Sequence, residues 1–196
     1  MPCAGLTAWR AIAIEAPVAS GDTVLVQGTG GVSIFALQFA KARGATVIAT
    51  SSSDEKLARV KKLGADDVIN YMTNPEWGKE VLRITGGRGV DVVVEVGGDK
   101  TMSKSLEAVR VGGAIVVIGV LGGFTNNIFI PALFSKNAKM IGISIGSRDQ
   151  FDEMVKHMAN WKLHPVVDKA FPVDNVQDAL KLMQAGRHFG KICLKF

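Results

Sequence analysis

The sequence predicts a doubly wound α/β fold, in which helices cover both faces of a six-stranded parallel sheet. Three observations predict it. Short runs rich in Val and Ile alternate with longer segments of helical periodicity, and those runs are apolar on both of their faces. A glycine-rich turn joins the first run to the first helix. Right-handed crossovers between parallel strands then place helices on both sides of the sheet.

The first two strand–helix units carry the clearest local signals. Thr23–Gln27 is β-branched and apolar, and the helical periodicity that follows it stops at Gly44. The second β-branched run leads into a serine-rich stretch, where Ser53 caps a helix that Gly64 closes. The predicted bounds are strands 23–27 and 45–50 and helices 32–43 and 54–63.

The later units follow the same alternation. A valine-rich run forms the fourth strand, and Gly112-Gly113 is expected to turn the next helix into the fifth strand. The predicted bounds are strands 67–70, 90–96, 114–118, 139–145 and 191–194, and helices 76–84, 101–109, 150–161 and 176–185. The core then covers residues from about 20 to 164, with 1–19 and 165–196 as flanking segments.

Composition agrees with a folded globular protein. The chain has 196 residues, of which 47% are hydrophobic and 21% charged, enough apolar side chains for a full core. The net charge is +5, but Lys and Arg are spread along the chain, so we predict no nucleic-acid binding. A mildly basic balance suits an anionic ligand instead. The longest uncharged apolar stretch, 111–124, is too short for a membrane span, which takes about 20 residues.

The two cysteines, Cys3 and Cys193, stand at opposite ends of the chain and imply no disulfide framework. We therefore expect a reducing, cytoplasmic setting, and the N-terminus lacks the pattern of a signal peptide. Both cysteines are expected to be buried as small apolar residues, Cys193 in the closing strand.

The motif Gly28-Thr29-Gly30-Gly31-Val32-Ser33 lies between the first strand and the first helix. Glycines permit a tight turn and a close approach of the backbone to a pyrophosphate, and the helix N-terminus offers unpaired N–H groups and a partial positive charge. Ser33 takes the place of the usual third glycine and still allows close packing. We predict a Rossmann-type dinucleotide site here, against the alternative of a purely structural turn.

The end of the second strand distinguishes NADP from NAD. NAD sites place an Asp or Glu about 20 residues past the glycines, where it accepts a hydrogen bond from the ribose 2′-hydroxyl. This chain has Thr50-Ser51-Ser52-Ser53 there, and its first carboxylate, Asp54, falls in the next helix. Hydroxyls together with Lys56 suit a 2′-phosphate, so we predict NADP(H) over NAD(H). The alternative is that the serines only cap the helix and Lys56 is solvated.

Several blocks, in order and at typical spacing, resemble the medium-chain dehydrogenase/reductase superfamily, specifically its quinone-oxidoreductase-like and zinc-type alcohol dehydrogenase branches. The blocks are PCAGLTAW at 2–9, GDTVLVQGTGGV at 21–32, LGAD at 63–66 leading to Asn70-Tyr71, GVD at 89–91 and GRHFGK at 186–191. The resemblance covers essentially the whole chain. It implies an oxidoreductase that transfers hydride between a nicotinamide and a carbonyl, quinone, activated alkene or alcohol as its small-molecule substrate.

The resemblance also implies roles for individual residues. Thr7 would contact the nicotinamide end, and Ser51, Ser52, Lys56 and Tyr71 would hold the 2′-phosphate and adenosine, with packing as the alternative for Tyr71. Loops after the fourth, fifth and sixth strands would line the nicotinamide, at Val96, Gly97, Gly119, Val120, Leu121, Ser144 and Ile145. The carboxyl ends of parallel strands are independently where such sheets bind ligands. Simple turn chemistry is the alternative for these loop residues.

Family members carry a larger, GroES-like catalytic domain before the point at which this chain starts. The resemblance therefore implies that segments 1–19 and 165–196 join an absent domain, so that this chain is an excised domain, a truncated product or one piece of a larger protein. No catalytic acid or base is nominated. The sixth strand would lie at the edge of the sheet, where we expect it to pair with a second copy in a homodimer, unless the edge is covered.

Cys3 stands where zinc-dependent relatives have a ligand to the catalytic metal. One thiolate is not a site, because catalytic zinc takes three protein ligands, and His157, His164 and His188 have no matching spacing. We therefore expect no metal. Two alternatives to an NADP(H)-linked enzyme stay open, namely a non-catalytic nucleotide-binding module and a fragment of an NAD-linked zinc alcohol dehydrogenase.

Overall fold

A computed structural model describes residues 1–125 and 127–196. At its centre is a six-stranded sheet of order β3-β2-β1-β4-β5-β6, in which every pair of neighbours is parallel. The strands are β1 (Thr23–Gln27), β2 (Thr46–Ser51), β3 (Asp67–Asn70), β4 (Val90–Glu95), β5 (Val109–Val117) and β6 (Lys139–Gly142). The strand order reverses between β1 and β4, which confirms the predicted doubly wound fold.

Helices connect the strands and cover both faces of the sheet. They are α1 (Ala4–Trp9), α2 (Gly31–Ala42), α3 (Asp54–Lys62), α4 (Trp77–Ile84), α5 (Asp99–Ala108), α6 (Ile130–Ser135), α7 (Arg148–Asn160) and α8 (Val176–Gln184). A π-helical segment, Arg10–Glu15, continues α1, and a short 3₁₀ turn, Val173–Asn175, precedes α8. No helix of the described residues combines the length and the apolar character needed to cross a bilayer.

Alternate residues of the central strands enter two separate apolar clusters. Val24 and Val26 of β1 pack towards α1, α2 and α7, whereas Leu25, between them, packs towards α4 and α5. All three side chains are at most 1% exposed. Because both faces of the sheet are covered in this way, a ligand reaches the backbone of the strands only at their ends.

The N-terminal segment lies outside the sheet, as expected, yet it packs deep into the core. Trp9 is 1% exposed, and its ring lies edge-on to Phe39 with centroids 5.4 Å apart. Every residue of α1 is buried. A helix that is buried on all sides shows no amphipathic period, which explains why the sequence did not predict it.

The fifth and sixth strands differ from their predicted bounds. β5 begins at Val109 and includes Gly112-Gly113, which were expected to form the turn before it. Gly112 has φ +73°, and the pairing of β4 with β5 shifts register between Val90 and Val92, so the glycines form an irregularity within the strand. The structure ends β6 at Gly142 rather than at Ile145.

The C-terminal segment forms a second, small sheet. β7 (Val167–Pro172) and β8 (Lys191–Lys195) pair in parallel, and α8 connects them. The sequence predicted α8 and the closing strand but not β7, most of whose residues are exposed or half-buried. A strand without a buried face lacks the apolar alternation by which strands are predicted.

Candidate functional site

The residues predicted to bind a dinucleotide gather along the carboxyl edge of the main sheet. The strand registers place Gln27 beside Thr50, and Val117 beside both Glu95 and Gly142. The loops that follow these strands therefore begin side by side. They carry residues 28–32, Ser51, Ser52, Val96, Gly97, Gly119, Val120, Leu121, Ser144 and Ile145.

The glycine-rich turn is open at two of its glycines. Gly28 has φ +70°, and its amide donates to the Thr50 carbonyl at 2.8 Å, which ties the turn to β2. Gly30 is the N-cap of α2. A Cβ at Gly28 or at Gly30 would meet no heavy atom within 4 Å. A phosphate can therefore approach this backbone closely enough to meet N–H groups of the first turn of α2, where intrahelical carbonyls are lacking.

Ser33, in the third motif position, is 2% exposed. Its hydroxyl donates to the Gln27 carbonyl at 2.6 Å. The side chain therefore fastens the first turn of α2 to the end of β1. In this turn, serine in place of glycine adds a contact and does not prevent close packing of the helix on the strand.

Gly31, by contrast, is covered by the C-terminal segment. A Cβ at Gly31 would lie 2.8 Å from Cδ and 3.2 Å from Nζ of Lys191. The Gly190 amide donates to the Thr29 carbonyl at 2.8 Å, which holds β8 against the turn. The Lys191 ammonium thus lies beside the N-terminus of α2. The sequence did not predict this position, because no local spacing rule connects two residues at opposite ends of the chain.

Further contacts hold the closing segment against α3. Lys56 Nζ donates to the Gly186 carbonyl at 2.8 Å. Arg59 forms a 2.8 Å ion pair with Asp168, and its guanidinium lies 4.1 Å from the centre of the Phe189 ring. The Phe189 amide donates to the other oxygen of Asp168 at 3.2 Å. The β7–β8 unit is therefore docked on α3, next to the end of β2.

The predicted 2′-phosphate residues lie where β2 and β3 end. The Tyr71 amide donates to the Ser51 carbonyl at 3.0 Å, which joins the two loops. Ser51 is 3% exposed and Tyr71 38% exposed, and Ser52 is exposed to solvent. Burial lowers the pKa of Lys56, and the neighbouring Asp168 partly offsets that effect. Lys56 is thus a partly buried cation where α3 meets the closing segment.

Ser53 caps α3, because its hydroxyl accepts a hydrogen bond from the Lys56 amide at 3.3 Å. The alternative in which the serines cap the helix therefore holds for Ser53. Ser51 accepts a weaker bond from the Ser53 amide at 3.4 Å and makes no contact with α3 of this kind. Ser51 and Ser52 stay candidates for ligand contacts.

Thr7 is 4% exposed in α1, and its hydroxyl donates to the Cys3 carbonyl at 2.9 Å. A shallow cavity of about 400 Å³ opens between α1 and the loop after β6, with Leu6, Ile145 and Phe151 among its lining residues. The structure therefore brings Ile145 next to α1, whereas Thr7 is buried and its hydroxyl is bonded within the N-terminal segment.

Cys3 is exposed, so the prediction that it is a buried apolar residue is wrong. It is the N-cap of α1. Cys193 lies half-buried in β8. Within residues 1–125 and 127–196, no three His, Cys, Asp or Glu side chains come together in a group that could hold a metal ion.

Comparison with known proteins agrees with this geometry. Residues 31–160 match the family model described as zinc-binding dehydrogenase. The zinc-type alcohol dehydrogenase-like protein of Schizosaccharomyces pombe is 45% identical over 201 residues, which cover 100% of this chain and 58% of that protein. The chain thus spans somewhat more than half the length of this curated relative.

Solved structures share the fold. The crystal structure of an NAD-dependent alcohol dehydrogenase superposes with a TM-score of 0.93 at 36% identity, covering 100% of this chain and 57% of that one. A 2-octenoyl-CoA carboxylase reductase in complex with NADP and 2-octenoyl-CoA superposes with a TM-score of 0.91 at 27% identity, covering 99% and 48%. The family match and the shared fold show that this chain belongs to the zinc-binding dehydrogenases of the medium-chain dehydrogenase/reductase superfamily, as a coenzyme-binding domain.

Proposed function

We propose that this domain binds NADP(H) and orients its nicotinamide for hydride transfer to or from a carbonyl, quinone, activated alkene or alcohol. One observation carries the proposal, namely the glycine turn that is open at Gly28 and Gly30 and lies before the N-terminus of α2. When bound, the nicotinamide ring supplies or accepts the hydride. The residues of this chain bind and orient the coenzyme.

The pyrophosphate end is assigned to the first turn of α2 and to Lys191. N–H groups of that turn lack intrahelical acceptors, and the helix dipole adds a partial positive charge. The Lys191 ammonium lies beside the same turn. Backbone donors together with one cation provide what a dianionic diphosphate requires.

The preference for NADP(H) is assigned to Ser51, Ser52, Lys56 and Tyr71. No carboxylate stands at the end of β2, where it would repel a 2′-phosphate. The two serines offer hydroxyls, and Lys56 offers a cation whose ammonium donates to the Gly186 carbonyl in the ligand-free chain. Structural neighbours of this chain include both an NAD-dependent enzyme and an NADP complex, so the preference rests on these residues alone.

The nicotinamide end is assigned to the loops after β4, β5 and β6, together with Thr7. These loops hold the candidates Val96, Gly97, Gly119, Val120, Leu121, Ser144 and Ile145. Leu121 is 89% exposed and Val120 45% exposed, so the loop after β5 offers free apolar surface to the coenzyme or substrate. We place the junction with the rest of the enzyme, a GroES-like catalytic domain, at segments 1–19 and 165–196.

A homodimer in the cytoplasm completes the proposal. Among the described strands, β6 pairs with β5 alone, so it forms one edge of the six-stranded sheet. Phe129, Ile130 and Phe134, which precede this strand, are 58% to 70% exposed. Open strand edges beside apolar side chains favour pairing with another copy. Light scattering tests this directly, and a particle mass near the 20.8 kDa of one chain would contradict it.

Titration of the chain with NADPH and with NADH tests coenzyme binding and preference. We expect tighter binding of NADPH, and we expect Lys56→Ala to weaken NADPH about tenfold while NADH changes less than about twofold. The reason is that a charge-assisted contact to a phosphate is worth about 1.4 kcal/mol, which is tenfold in affinity. Binding is followed by the fluorescence of the reduced nicotinamide.

Lys62→Ala is the matched control, because Lys62 is an exposed lysine of the same helix. It should leave both affinities unchanged. Failure of the native chain to bind either coenzyme at millimolar concentration would end the proposal. Tighter binding of NADH, with Lys56→Ala affecting both coenzymes alike, would instead favour an NAD-linked alcohol dehydrogenase.

A further inference from the structure

A fully buried carboxylate lies at the centre of the carboxyl edge. Glu95 is the last residue of β4 and is 0% exposed. Its Oε1 accepts hydrogen bonds from the amides of Gly97 and Gly98, at 2.8 and 3.0 Å, and from the Thr101 hydroxyl at 2.5 Å. One oxygen of Glu95 therefore fixes the whole turn between β4 and α5.

The second oxygen of Glu95 faces β1. Oε2 accepts from Gln27 Nε2 at 2.8 Å and from the Ser105 hydroxyl. Gln27 directly precedes the glycine turn, and its own Oε1 accepts from the Val96 amide at 3.3 Å. The side chains of Glu95 and Gln27 thus connect the end of β1 with the start of the loop after β4.

The main chain of Glu95 reaches a third loop. Its carbonyl accepts from the amides of Ile118 and Gly119, at 2.9 and 3.2 Å. The Leu121 amide donates in turn to the Val96 carbonyl at 3.3 Å. Glu95 therefore bonds directly to the loops after β4 and β5, and it bonds to Gln27, the residue that directly precedes the loop after β1.

Packing alone does not explain a carboxylate at this position, because burying its charge costs free energy. Burying a charged or polar group destabilises a fold unless every partner is supplied, and an apolar residue of similar volume is often at least as stable. In the described part of the chain, the groups that donate to the Glu95 carboxylate are all neutral, and none is a Lys or Arg. Fully satisfied polar networks of this kind rigidify their surroundings.

We propose that Glu95 is a positioning residue that, through Gln27 and Val96, fixes the three loops against which the dinucleotide binds. The ordering of the loops is a property of the protein alone. Its consequence for coenzyme affinity rests on the proposed function. The two parts are therefore measured separately.

Glu95→Gln keeps the size of the side chain but replaces one hydrogen-bond acceptor with a donor. The amide oxygen can still accept from Gly97, Gly98 and Thr101, but the new NH₂ group then faces the NH₂ group of Gln27. If the Gln27 amide flips, its oxygen accepts from the new NH₂ group at position 95. Its own NH₂ group then faces the Val96 N–H. In either arrangement a buried donor faces a donor, which destabilises the network.

The double variant Glu95→Gln with Gln27→Glu is the matched control. It exchanges the amide and the carboxylate between the two positions and keeps the net charge. The carboxylate at position 27 then accepts from the amide at position 95 and from the Val96 N–H, while the oxygen at position 95 keeps its three donors. In the native chain the Ser105 hydroxyl also accepts from Gln27 Nε2 at 2.8 Å, so it can donate to the new carboxylate at position 27. Every donor is paired again, so this variant should recover what the single change loses.

Amide hydrogen exchange of the ligand-free chain is the first measurement. For Glu95→Gln we expect exchange in the segments 96–98 and 121–122 to rise at least about tenfold, because the Leu121 and Gly122 amides donate to the carbonyls of Val96 and Gly97. The strands β1 and β2 should stay protected. The double variant should return to within about twofold of the native rates. In parallel, the dissociation constant for NADPH should rise about tenfold in the single variant and recover in the double variant.

Unchanged exchange in both segments would overturn the proposal. So would a uniform rise across the sheet, because that pattern belongs to a purely structural residue. Loop exchange that rises and recovers, in a chain that binds neither coenzyme, would support the positioning role and contradict the proposed function. If Glu95→Gln does not fold, Thr101→Val carries the same test, because it removes one donor to Oε1 and should selectively loosen residues 96–98.

Discussion

The two ends of the same parallel sheet differ in how completely their own side chains fill the space around them. At the amino end of β4, Asp91 is 4% exposed and accepts from Arg88, Arg110 and the Thr23 amide. At the carboxyl end of β1, the turn from Gly28 to Gly30 leaves space that no side chain fills. The amino end is closed by its own residues and stabilises the fold. The carboxyl end leaves backbone donors for a ligand.

The two ends also differ in the charges that surround their polar groups. Burial alone would raise the pKa of Asp91, but hydrogen bonds from Arg88, the Thr23 amide and Arg110 outweigh burial and hold the pKa well below its usual range. At the glycine turn, the Lys191 side chain lies against Gly31, and Gly28 and Gly30 are left open. Changes at the amino end should therefore alter stability, and changes at the turn should alter binding.

Gly30→Val should give the largest effect on binding. Gly30 has φ −76° and ψ 178°, a conformation that valine adopts without strain, and the space around it is open. The new methyl groups would occupy the position of the phosphates, so we expect affinity for NADPH and NADH to fall at least about 100-fold, or about 2.7 kcal/mol. Titration of both coenzymes measures the loss.

The melting temperature of Gly30→Val provides the control. Valine is a poorer N-cap than glycine, which costs about 1 kcal/mol and lowers the midpoint by a few degrees. Coenzyme affinity that survives the substitution would show that the turn does not hold the diphosphate. Complete unfolding would show that the space around Gly30 does not tolerate a valine side chain. Gly30→Ala would then be tested in place of Gly30→Val.

Asp91→Asn should give the largest effect on stability. Removing the charge leaves two guanidinium groups without their partner and weakens the bond to the Thr23 amide, so we expect a loss of about 2 kcal/mol. Coenzyme affinity should change less than about twofold. Asp152→Asn is the control, because its partner Arg148 is 82% exposed and the pair should contribute nothing measurable. Urea unfolding followed by circular dichroism measures both.

The free energy of unfolding at acid pH distinguishes the contribution of the Asp91 charge from that of its packing. Its pKa is lower in the folded than in the unfolded chain, so its stabilisation is present above the unfolded value of about 4 and is lost as the pH falls towards the folded value. Between about pH 4 and pH 2, the native chain should therefore lose stability more steeply than Asp91→Asn. Parallel curves would contradict an ionised Asp91 as the source of the stabilisation.

The open end of the sheet was largely predictable from sequence because its signals are local. The turn at Gly28 and Gly30 follows a β-branched run and opens a helix, and both neighbours lie within a few residues of it. The serine-rich end of β2 and its cap at Ser53 are local in the same sense. Chain order and periodicity determine such features before any tertiary contact forms.

Other features of the molecule depend on contacts between distant segments. Lys56 was expected to contact a phosphate or solvent, and its bond to the Gly186 carbonyl arises only because the β7–β8 unit docks on α3. Glu95 joins Gln27 across neighbouring strands, and nothing in the spacing of the two residues predicts that pairing. Helix α1 was missed because it is buried on every side.

Lys191→Met should give the smallest of these effects. It distinguishes the contribution of Lys191 to coenzyme affinity from that of Lys56. Methionine keeps the aliphatic contact with the first turn of α2 and removes the ammonium, so affinity should fall about fivefold for NADPH and for NADH alike. The diphosphate is common to both coenzymes, whereas Lys56→Ala should affect NADPH alone. The affinity should also depend less steeply on salt concentration, since one cation fewer contacts the ligand.

Lys195→Met, a change of an exposed lysine in the same strand, is the control. A loss confined to NADPH would move Lys191 to the 2′-phosphate, and no loss for either coenzyme would remove it from the site.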